Sequence, residues 1–515
     1  MDCSRCERPL DDVVPGWCGD CGRAERVGTA ALVAWLVEDP TPLHVTGEWH
    51  DPDPLDWPDY DDLRSRARDR SGTDESVTVV RGSIGGHEAV VVAWDFGFLG
   101  GSMGTVAGQR IAGAYDAAEA AGLPIVLLPS TGGARMQEGM ASLVQMAATT
   151  AAAARHHHLQ VAVLRDPTTG GVFASHANLA DVVLAEPGAT IGFAGPRVAE
   201  ALTDGPLPSG SHTARGAHAA GLVDDVVARP DLPEVLATLL GFGSATDEAS
   251  SATLATSRPR DERPDAWTEV QRARAADRPR APEVLGAHAV QIHGHLRGDR
   301  GGSADPAVDV ALATWTGRPA VVIAMNPREG AIGPAGYRTA WRGLATAARL
   351  GVPVVTLVDT PGAAADASAE AGGIAHHIAA TFRRLLEAPV PTVAAVIGEG
   401  GSGGALALAV TDRLLIQEHA MFSVIAPEGA AAILHRDRDR APEVTALLDP
   451  TAARLLDLGI ADSVVAEPDD ADGAVREVVT AVAAALADLP AHADDDHVAR
   501  RLDRWRHPLR DPLRD

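Results

Sequence analysis

The four cysteines of the chain lie in its first 21 residues, as Cys3-x2-Cys6 and Cys18-x2-Cys21. Each CxxC knuckle brings two thiolates to one point, so the two knuckles together suit a tetrahedral zinc ion. The 11 residues between Cys6 and Cys18 are fewer than the roughly 15–20 usual for this pattern. A disulfide pair, or cysteines in an unstructured tail, is the competing reading. Glycine supplies a second kind of chemistry. Gly170-Gly171 and Gly403-Gly404 each follow an apolar strand-like run and open a helical one. Backbone N–H groups at such a helix start are unsatisfied and positively polarised, so they attract an oxyanion. Glycine lets the ligand approach the backbone with no Cβ in the way. Reactions that build charge on a thioester or amide oxygen are accelerated by donors of this kind.

Two other motifs overlap the second pair. Gly398-x-Gly400-x-x-Gly403 follows a strand and precedes a helix, with Glu418 further on, which matches the dinucleotide fingerprint. That fingerprint opens a domain at its first strand, whereas several strands precede it here. Gly400-Gly401-Ser402-Gly403-Gly404 also fits the nucleophile elbow G-x-S-x-G, with Asp412 and His419 or His435 following. The corresponding residue of the first half is read as Thr169, which does not repeat the serine. Asp359, at a strand end, is read as a turn residue or a general base. His156-His157-His158, at a helix end, is read as a solvated C-terminal cap with metal ligation as the alternative, and His376-His377 as surface or core residues.

All 44 basic residues are arginines. Without lysine the chain cannot form a Schiff base with pyridoxal phosphate or hold nucleotide phosphates with a P-loop lysine. Biotin is attached through a lysine amine, so this chain cannot carry it. A formal net charge of -26 argues against a nucleic-acid partner. No apolar run reaches the roughly 20 residues a membrane span needs, and no h-region follows the first methionine. A cytoplasmic location is expected.

A chain of 515 residues exceeds one ordinary core. Val77–Val80 and Ala89–Ala93 read as strands, Ala107–Ala121 as a helix, and Ile125–Leu128 as a strand. A helix from about Gln137 to Arg155, a strand Val161–Leu164, a helix near Phe173–Ala180 and a strand Asp181–Ala185 follow. The order then recurs. Gly122-Leu123-Pro124 and Gly132-Gly133-Ala134 match Gly351-Val352-Pro353 and Pro361-Gly362-Ala363. Thr169-Gly170-Gly171-Val172 matches Ser402-Gly403-Gly404-Ala405, and Ala219–Asp224 matches Asp457–Asp462. Strand, glycine loop and helix in alternation imply an α/β protein with largely parallel sheets. The expected division is a zinc ribbon over 1–26, one α/β domain over 48–243 and a linker over 244–282. A second α/β domain over 283–485 and a charged C-terminal tail over 486–515 complete it. The polar stretch from about Glu48 to Glu75 reads as surface helix and loop.

At these residues the chain resembles the bacterial acetyl-CoA carboxylase carboxyltransferase, with its β and α subunits fused. The first half resembles the β subunit through Asp95–Gly104, Gly132–Glu138, Asp166–Gly171, Ile191–Arg197 and the cysteine ribbon. The second half resembles the α subunit through Asp359–Ala363, Val396–Ala405 and Ser423–Gly429. The resemblance implies two homologous crotonase-like (ClpP/crotonase) domains, with an active site between a β-type and an α-type domain. It implies structural zinc, and biotin borne by a partner rather than by this chain.

In that family the carboxyl group moves from carboxybiotin to acetyl-CoA or another short acyl-CoA, giving malonyl-CoA. Two oxyanion holes are needed, one for the ureido oxygen and one for the thioester enolate. The matching positions are Gly170-Gly171 and Gly403-Gly404. Gly132, Gly133, Ala134, Arg135, Gly362 and Ala363 are the matching substrate-binding positions. A biotin carboxyl carrier protein, a biotin carboxylase and an assembly of at least two chains are implied as partners. Departures occur at Asn326–Gly330, at Ala364 and over Ala369–Ile374. A malonyl decarboxylase of the same fold, or a non-catalytic zinc-ribbon assembly protein, is the alternative.

Overall fold

Short aliphatic and β-branched runs that are buried on both faces pair in parallel only when helices cover each side. The computed structural model, which describes residues 2–45, 53–203, 206–243 and 265–506, shows this twice. The described residues fall into two compact units, one within Met1–Gly241 with Arg300–Ser303, the other within Phe242–Asp299 and Ala304–Asp515. In the first, the sheet runs Asp225–Val226, Val182–Ala185, Gln160–Leu164, Ile125–Leu128, His87–Trp94, Val77–Ile84, Glu38–Pro42. In the second it runs Ser463–Val465, Arg413–Gln417, Thr392–Gly401, Val354–Thr360, Arg318–Met325, Val308–Trp315, Val290–His295. The path is the same: an antiparallel start of three strands, then parallel pairs to the far edge.

The long helices Thr105–Ala121 and Pro334–Leu350 cover equivalent positions. Each ends on a left-handed glycine, Gly122 at φ +67° and Gly351 at φ +65°, followed two residues later by proline, the expected stop signal. Trp94, Ile111, Tyr115 and Leu127 pack in the first core. Trp315, Leu357, Val479 and Val482 pack in the second, where Trp315 Nε1 donates to the Val479 carbonyl at 3.0 Å.

Three sequence expectations are corrected. The single helix over 137–155 is broken into Met136–Glu138, Gly139–Leu143 and Gln145–Ala154, with Gly139 at φ +53° at the first break. The helix near Phe173–Ala180 is a turn followed by the 3-10 segment His176–Leu179. There the Ser175 hydroxyl takes the Gly171 carbonyl at 2.6 Å, and Ser175 leaves helical geometry (φ -136°, ψ -131°), which stops propagation. The polar stretch includes the helix Tyr60–Ser71, and Tyr60, Arg64 and Ala67 within it are buried rather than on the surface.

The outer segments also differ from their composition. The expected linker is described only from 265, where it forms the helices Ala266–Ala273 and Ala281–Leu285 inside the second unit. Residues 244–264, 46–52 and 507–515, to which linker, polar stretch and tail were assigned, lie outside the described residues. The charged tail forms the helix Asp495–Arg506. Its Arg501 is buried, pairs with Asp412 at 2.7 and 2.8 Å, and caps the carbonyls of Ala388 and Val390 at 2.7 Å. A guanidinium with that many acceptors is held by hydrogen bonds, not by apolar periodicity, so hydropathy does not reveal it.

Burial by itself would raise the Asp412 carboxyl, but the hydrogen bonds and charge of Arg501 outweigh it and hold the group below its ordinary value. Its contribution is therefore complete above the unfolded value of about 3.9 and is lost as pH falls through the lower folded one. Arg501→Ala should cost about 3–5 kcal/mol, because it leaves Asp412 buried without its cation. Urea unfolding of both proteins between neutral and acid pH should show this loss and a weaker acid dependence in the variant.

Candidate functional site

The strand ends place the glycine loops side by side. In the first unit Thr131 bridges Thr168, Met103 bridges Ala134, and Ile191 and Gly192 pair with Thr168 and Thr169. In the second, Thr360 pairs with Gly400, Ile332 bridges Ala363, and Phe422 and Ser423 pair with Gly400 and Gly401. Matching bridge to bridge aligns Thr168 with Gly400, hence Gly170 with Ser402 and Gly171 with Gly403. The sequence alignment of Thr169 with Ser402 is thus one residue out, because glycine spacing alone cannot distinguish adjacent registers. Backbone angles agree: Gly170 has φ +70° and Ser402 φ +57°.

The loops touch backbone to backbone. A Cβ on Gly170 would lie 2.7 Å from Gly133 Cα, and one on Gly404 would lie 2.5 Å from Ala363 N. Hydrogen bonding leaves selected amides over. Gly132 N–H donates to the Gly100 carbonyl at 2.9 Å, Gly133 N–H to Thr131 Oγ1 at 3.0 Å, and Arg135 N–H to the Met103 carbonyl at 3.0 Å. In the second unit Gly362 N–H donates to Thr360 Oγ1 at 3.2 Å and Ala364 N–H to the Ile332 carbonyl at 2.9 Å. Among the described residues, no acceptor meets the N–H of Ala134, Gly171, Ala363, Gly403 or Gly404. The first unit therefore offers a free alanine amide beside one free glycine amide, and the second a free alanine amide beside two. The helix Ser402–Leu406 has only 5 residues, so individual N–H groups, not a long helix dipole, would hold an anion here.

Two candidate positions are corrected. Gly170 N–H donates to the Phe193 carbonyl at 2.9 Å, so its amide is already used and its part is conformational. Arg135 cannot reach a substrate: it is 1% exposed. Its guanidinium donates to Glu75 Oε2 at 3.0 Å, Glu138 Oε1 at 3.1 Å, Tyr60 Oη at 3.3 Å and the Ser102 carbonyl at 2.7 Å, and pairs with Glu75 Oε1 as well. Burial opposes both charges, and the partner's charge outweighs it. Arg135 is held above its ordinary value and Glu75 below. Through its own N–H bond to Met103, Arg135 fixes the loop that presents Ala134. Tyr60, Glu75 and Glu138 belong to this support. Their scatter along the chain hides them; Glu138, three residues after Arg135 in the sequence, is the one available signal.

The rival motifs do not assemble. Gly398 and Gly400 lie inside the strand Thr392–Gly401, not in a phosphate-binding turn, and a Cβ on Gly398 would meet the Asp359 carboxylate at 2.3 Å. Ser402 is exposed, and among the described residues no base bonds its hydroxyl. His419 Nδ1 lies 2.7 Å from Glu269 Oε2, and His435 Nδ1 lies 3.0 Å from Arg440 Nη1. Asp359 is buried and bonded within the fold. Burial raises its carboxyl, while Arg280 Nη1 donates to it at 2.7 Å and Glu399 N–H at 3.0 Å.

A cavity of about 360 Å³ opens beside it, lined by Arg274, Arg280, Arg328, Pro361 and Glu399. Its arginines are already paired: Arg274 with Glu399 and Glu428, and Arg328 with Glu283. The cysteines do come together. All four Sγ atoms lie within 4.8 Å of one another, with Cys3–Cys21 and Cys6–Cys18 at 3.5 Å. Tetrahedral zinc, with Zn–S of about 2.3 Å, needs sulfurs about 3.8 Å apart, so the donor set fits that ion.

The family described as acetyl co-enzyme A carboxylase carboxyltransferase-like matches residues 260–508. A Salinispora arenicola protein named acetyl-coenzyme A carboxylase carboxyl transferase subunits beta/alpha is 41% identical over 510 residues, covering 92% of this chain and 89% of its own. A Mycobacterium bovis protein named probable biotin-dependent acyl-coenzyme A carboxylase beta3 subunit is 39% identical over 458 residues, covering 85% of this chain and 90% of its own. A crystal structure of transcarboxylase 12S with hydrolysed methylmalonyl-coenzyme A bound has a TM-score of 0.69 at 21% identity, covering 89% of each chain.

Nothing lies within 4 Å of a Cβ built on Gly403, whereas one on Gly404 meets backbone. Gly403→Ala should therefore melt within a degree or two of the parent, and Gly404→Ala should lose about 1–3 kcal/mol through overpacking. Thermal unfolding of the pair distinguishes the position that faces open space from the one that faces protein.

Proposed function

The chain belongs to the acetyl-coenzyme A carboxylase carboxyltransferase family, and from that premise we propose that it transfers a carboxyl group from carboxybiotin to acetyl-CoA or another short acyl-CoA. The observation that carries this is the pair of free-amide sites, one in each crotonase-like unit, in a chain without lysine. Two oxygens must be held while they carry negative charge, and each unit supplies donors for one. In the first unit these are the N–H groups of Ala134 and Gly171, beside the Gly170 turn. In the second they are those of Ala363 and Gly403, with Gly404 next to them. Such donors are fixed before the reaction and need no reorganisation as charge develops.

Carboxybiotin, presented by a biotin carboxyl carrier protein that a biotin carboxylase has charged, supplies both the carboxyl group and the base that the acyl-CoA requires. That leaves the protein with binding, orientation and charge stabilisation, which is consistent with a site lacking a free acid–base pair. Asp359 and Arg135 are both committed to buried ion pairs. Cys3, Cys6, Cys18 and Cys21 would hold one structural zinc ion. The functional assembly is at least a dimer of fused chains. Among the described residues no helix is long and apolar enough to cross a membrane.

Purified protein given malonyl-CoA and free biotin or biocytin should transfer the carboxyl group, and metal analysis should return one zinc per chain. Gly403→Ala should keep its fold and lose about 10²-fold in rate, because the added methyl displaces a ligand oxygen from an amide that is itself still present, whereas Ser402→Ala should be mild. A folded, zinc-loaded protein inert towards every short malonyl-type thioester would refute the assignment. So would a dead Ser402→Ala beside an active Gly403→Ala.

A further inference from the structure

Asp166 has no part in the chemistry above, yet the three loops of the first unit's site meet on it. Its carbonyl accepts from Ser130 Oγ at 2.8 Å, at the start of the Thr131–Ala134 loop. Its Oδ1 accepts from Thr190 N–H at 3.0 Å, at the head of the turn whose Phe193 carbonyl holds Gly170 N–H at 2.9 Å. It also begins the segment that ends in Gly170-Gly171. The other carboxylate oxygen, Oδ2, accepts from Arg26 Nη2 at 3.1 Å.

Arg26 does not come from the α/β layers. It follows Cys21 closely, and its guanidinium lies 4.2 Å over the Phe96 ring. The cysteine ribbon that carries it is gripped from the other side by Arg229. That buried side chain holds Glu186 at 2.6 and 2.7 Å and donates to the carbonyls of Pro15 and Glu25 at 2.6 and 2.9 Å. Glu25, the neighbour of Arg26, in turn accepts from Ser4 N–H at 2.9 Å, beside the first knuckle. The ribbon's own regular structure is one pair of two-residue strands, Trp17–Cys18 and Arg23–Ala24. A module that small owes its folding to its metal.

We propose that Arg26 and Asp166 are positioning residues, through which the metal-loaded ribbon holds the loops presenting the Ala134 and Gly171 amides. With the ribbon folded, the half-exposed Arg26 stays between Asp166 and the Phe96 ring, Asp166 keeps its cation, and the three loops share one anchor. With the ribbon unfolded, Arg26 is free and the anchor loses the charge that holds it from outside the sheet. The activity arm of the test rests on the carboxyltransferase reading; the exchange arm does not.

Amide hydrogen exchange followed by mass spectrometry on the full chain tests this in Arg26→Ala, Arg26→Lys, Asp166→Asn and Cys6→Ser. Arg26→Ala should retain zinc and its overall melting temperature. Exchange in peptides covering 130–134, 166–171 and 190–193 should rise about tenfold, and Arg26→Lys should recover part of that. Cys6→Ser should speed the same peptides, and adding Arg26→Ala to it should change little more, because both lesions break one path. In transfer assays kcat should fall about 10–100-fold, since small displacements at a reacting site carry costs of that order, with a smaller change in KM.

A zinc-loaded Arg26→Ala protein with unchanged exchange in all three loops would overturn the proposal. Additive effects of Arg26→Ala and Cys6→Ser would do the same. If Cys6→Ser does not fold, Arg26→Ala and Asp166→Asn decide alone. Loosened loops in a protein that transfers no carboxyl group even as wild type would uphold the positioning role and count against the reading of the reaction.

Discussion

Two stretches of main chain in direct contact leave no room for a side chain between them, and both candidate sites are built on that contact. Gly133 meets Gly170 in one unit, and Ala363 meets Gly404 in the other. At such a crossing the sheet has ended, so amides on the inner edge have no carbonyl left to pair with. The ordinary penalty for an unpaired amide makes the place attractive to a ligand oxygen. The same constraint explains the conformations nearby. Gly133 at φ +114° and Gly362 at φ +136° turn each loop back before a Cβ would obstruct it. Ser402 alone among the crossing residues adopts positive φ with a side chain, and that side chain points to solvent.

Holding loops so tightly needs strong anchors, and the chain repeatedly uses arginine for them. A guanidinium presents five donors in a planar fork, so one side chain can pair a carboxylate and cap several strand-end carbonyls together. Arg135 does this beneath Ala134, Arg229 beneath the ribbon, and Arg501 beneath Asp412. Arg278 does it for the Ile397 carbonyl and Glu467. An ammonium group has three donors and no plane, and could not make most of these arrangements. The lysine-free composition thus suits the architecture, whatever its origin.

The two units share a strand path but close its parallel-strand ends differently. In the first, the cysteine ribbon supplies Arg26 to Asp166, and the helix Thr29–Leu36 that follows it supplies Thr29 N–H to Asp95 at 3.0 Å. In the second, residues 274–280 supply Arg274 to Glu399, Arg278 to Ile397 and Arg280 to Asp359. Duplication preserved the sheet because its buried runs tolerate little change. The covering segments diverged because each has only to bring cations to acidic or carbonyl-rich strand ends.

The sequence by itself determined the α/β class, the duplication, the cysteine cluster and the glycine loops. Each rests on local pattern: aliphatic runs of strand length, glycine followed by proline at helix ends, and paired CxxC spacing. It also pointed to Gly171, Gly403, Ala134 and Ala363 through the likeness of whole motifs. Only the tertiary structure decided that Gly170 has spent its amide on Phe193, that Arg135 is buried rather than substrate-facing, and that Ser402 corresponds to Gly170. Only it showed that residues 265–282 and 495–506 belong to the second unit. These outcomes depend on which acceptor lies within about 3 Å of a donor. That partner is often dozens of residues away, where neither periodicity nor spacing along the chain carries the information.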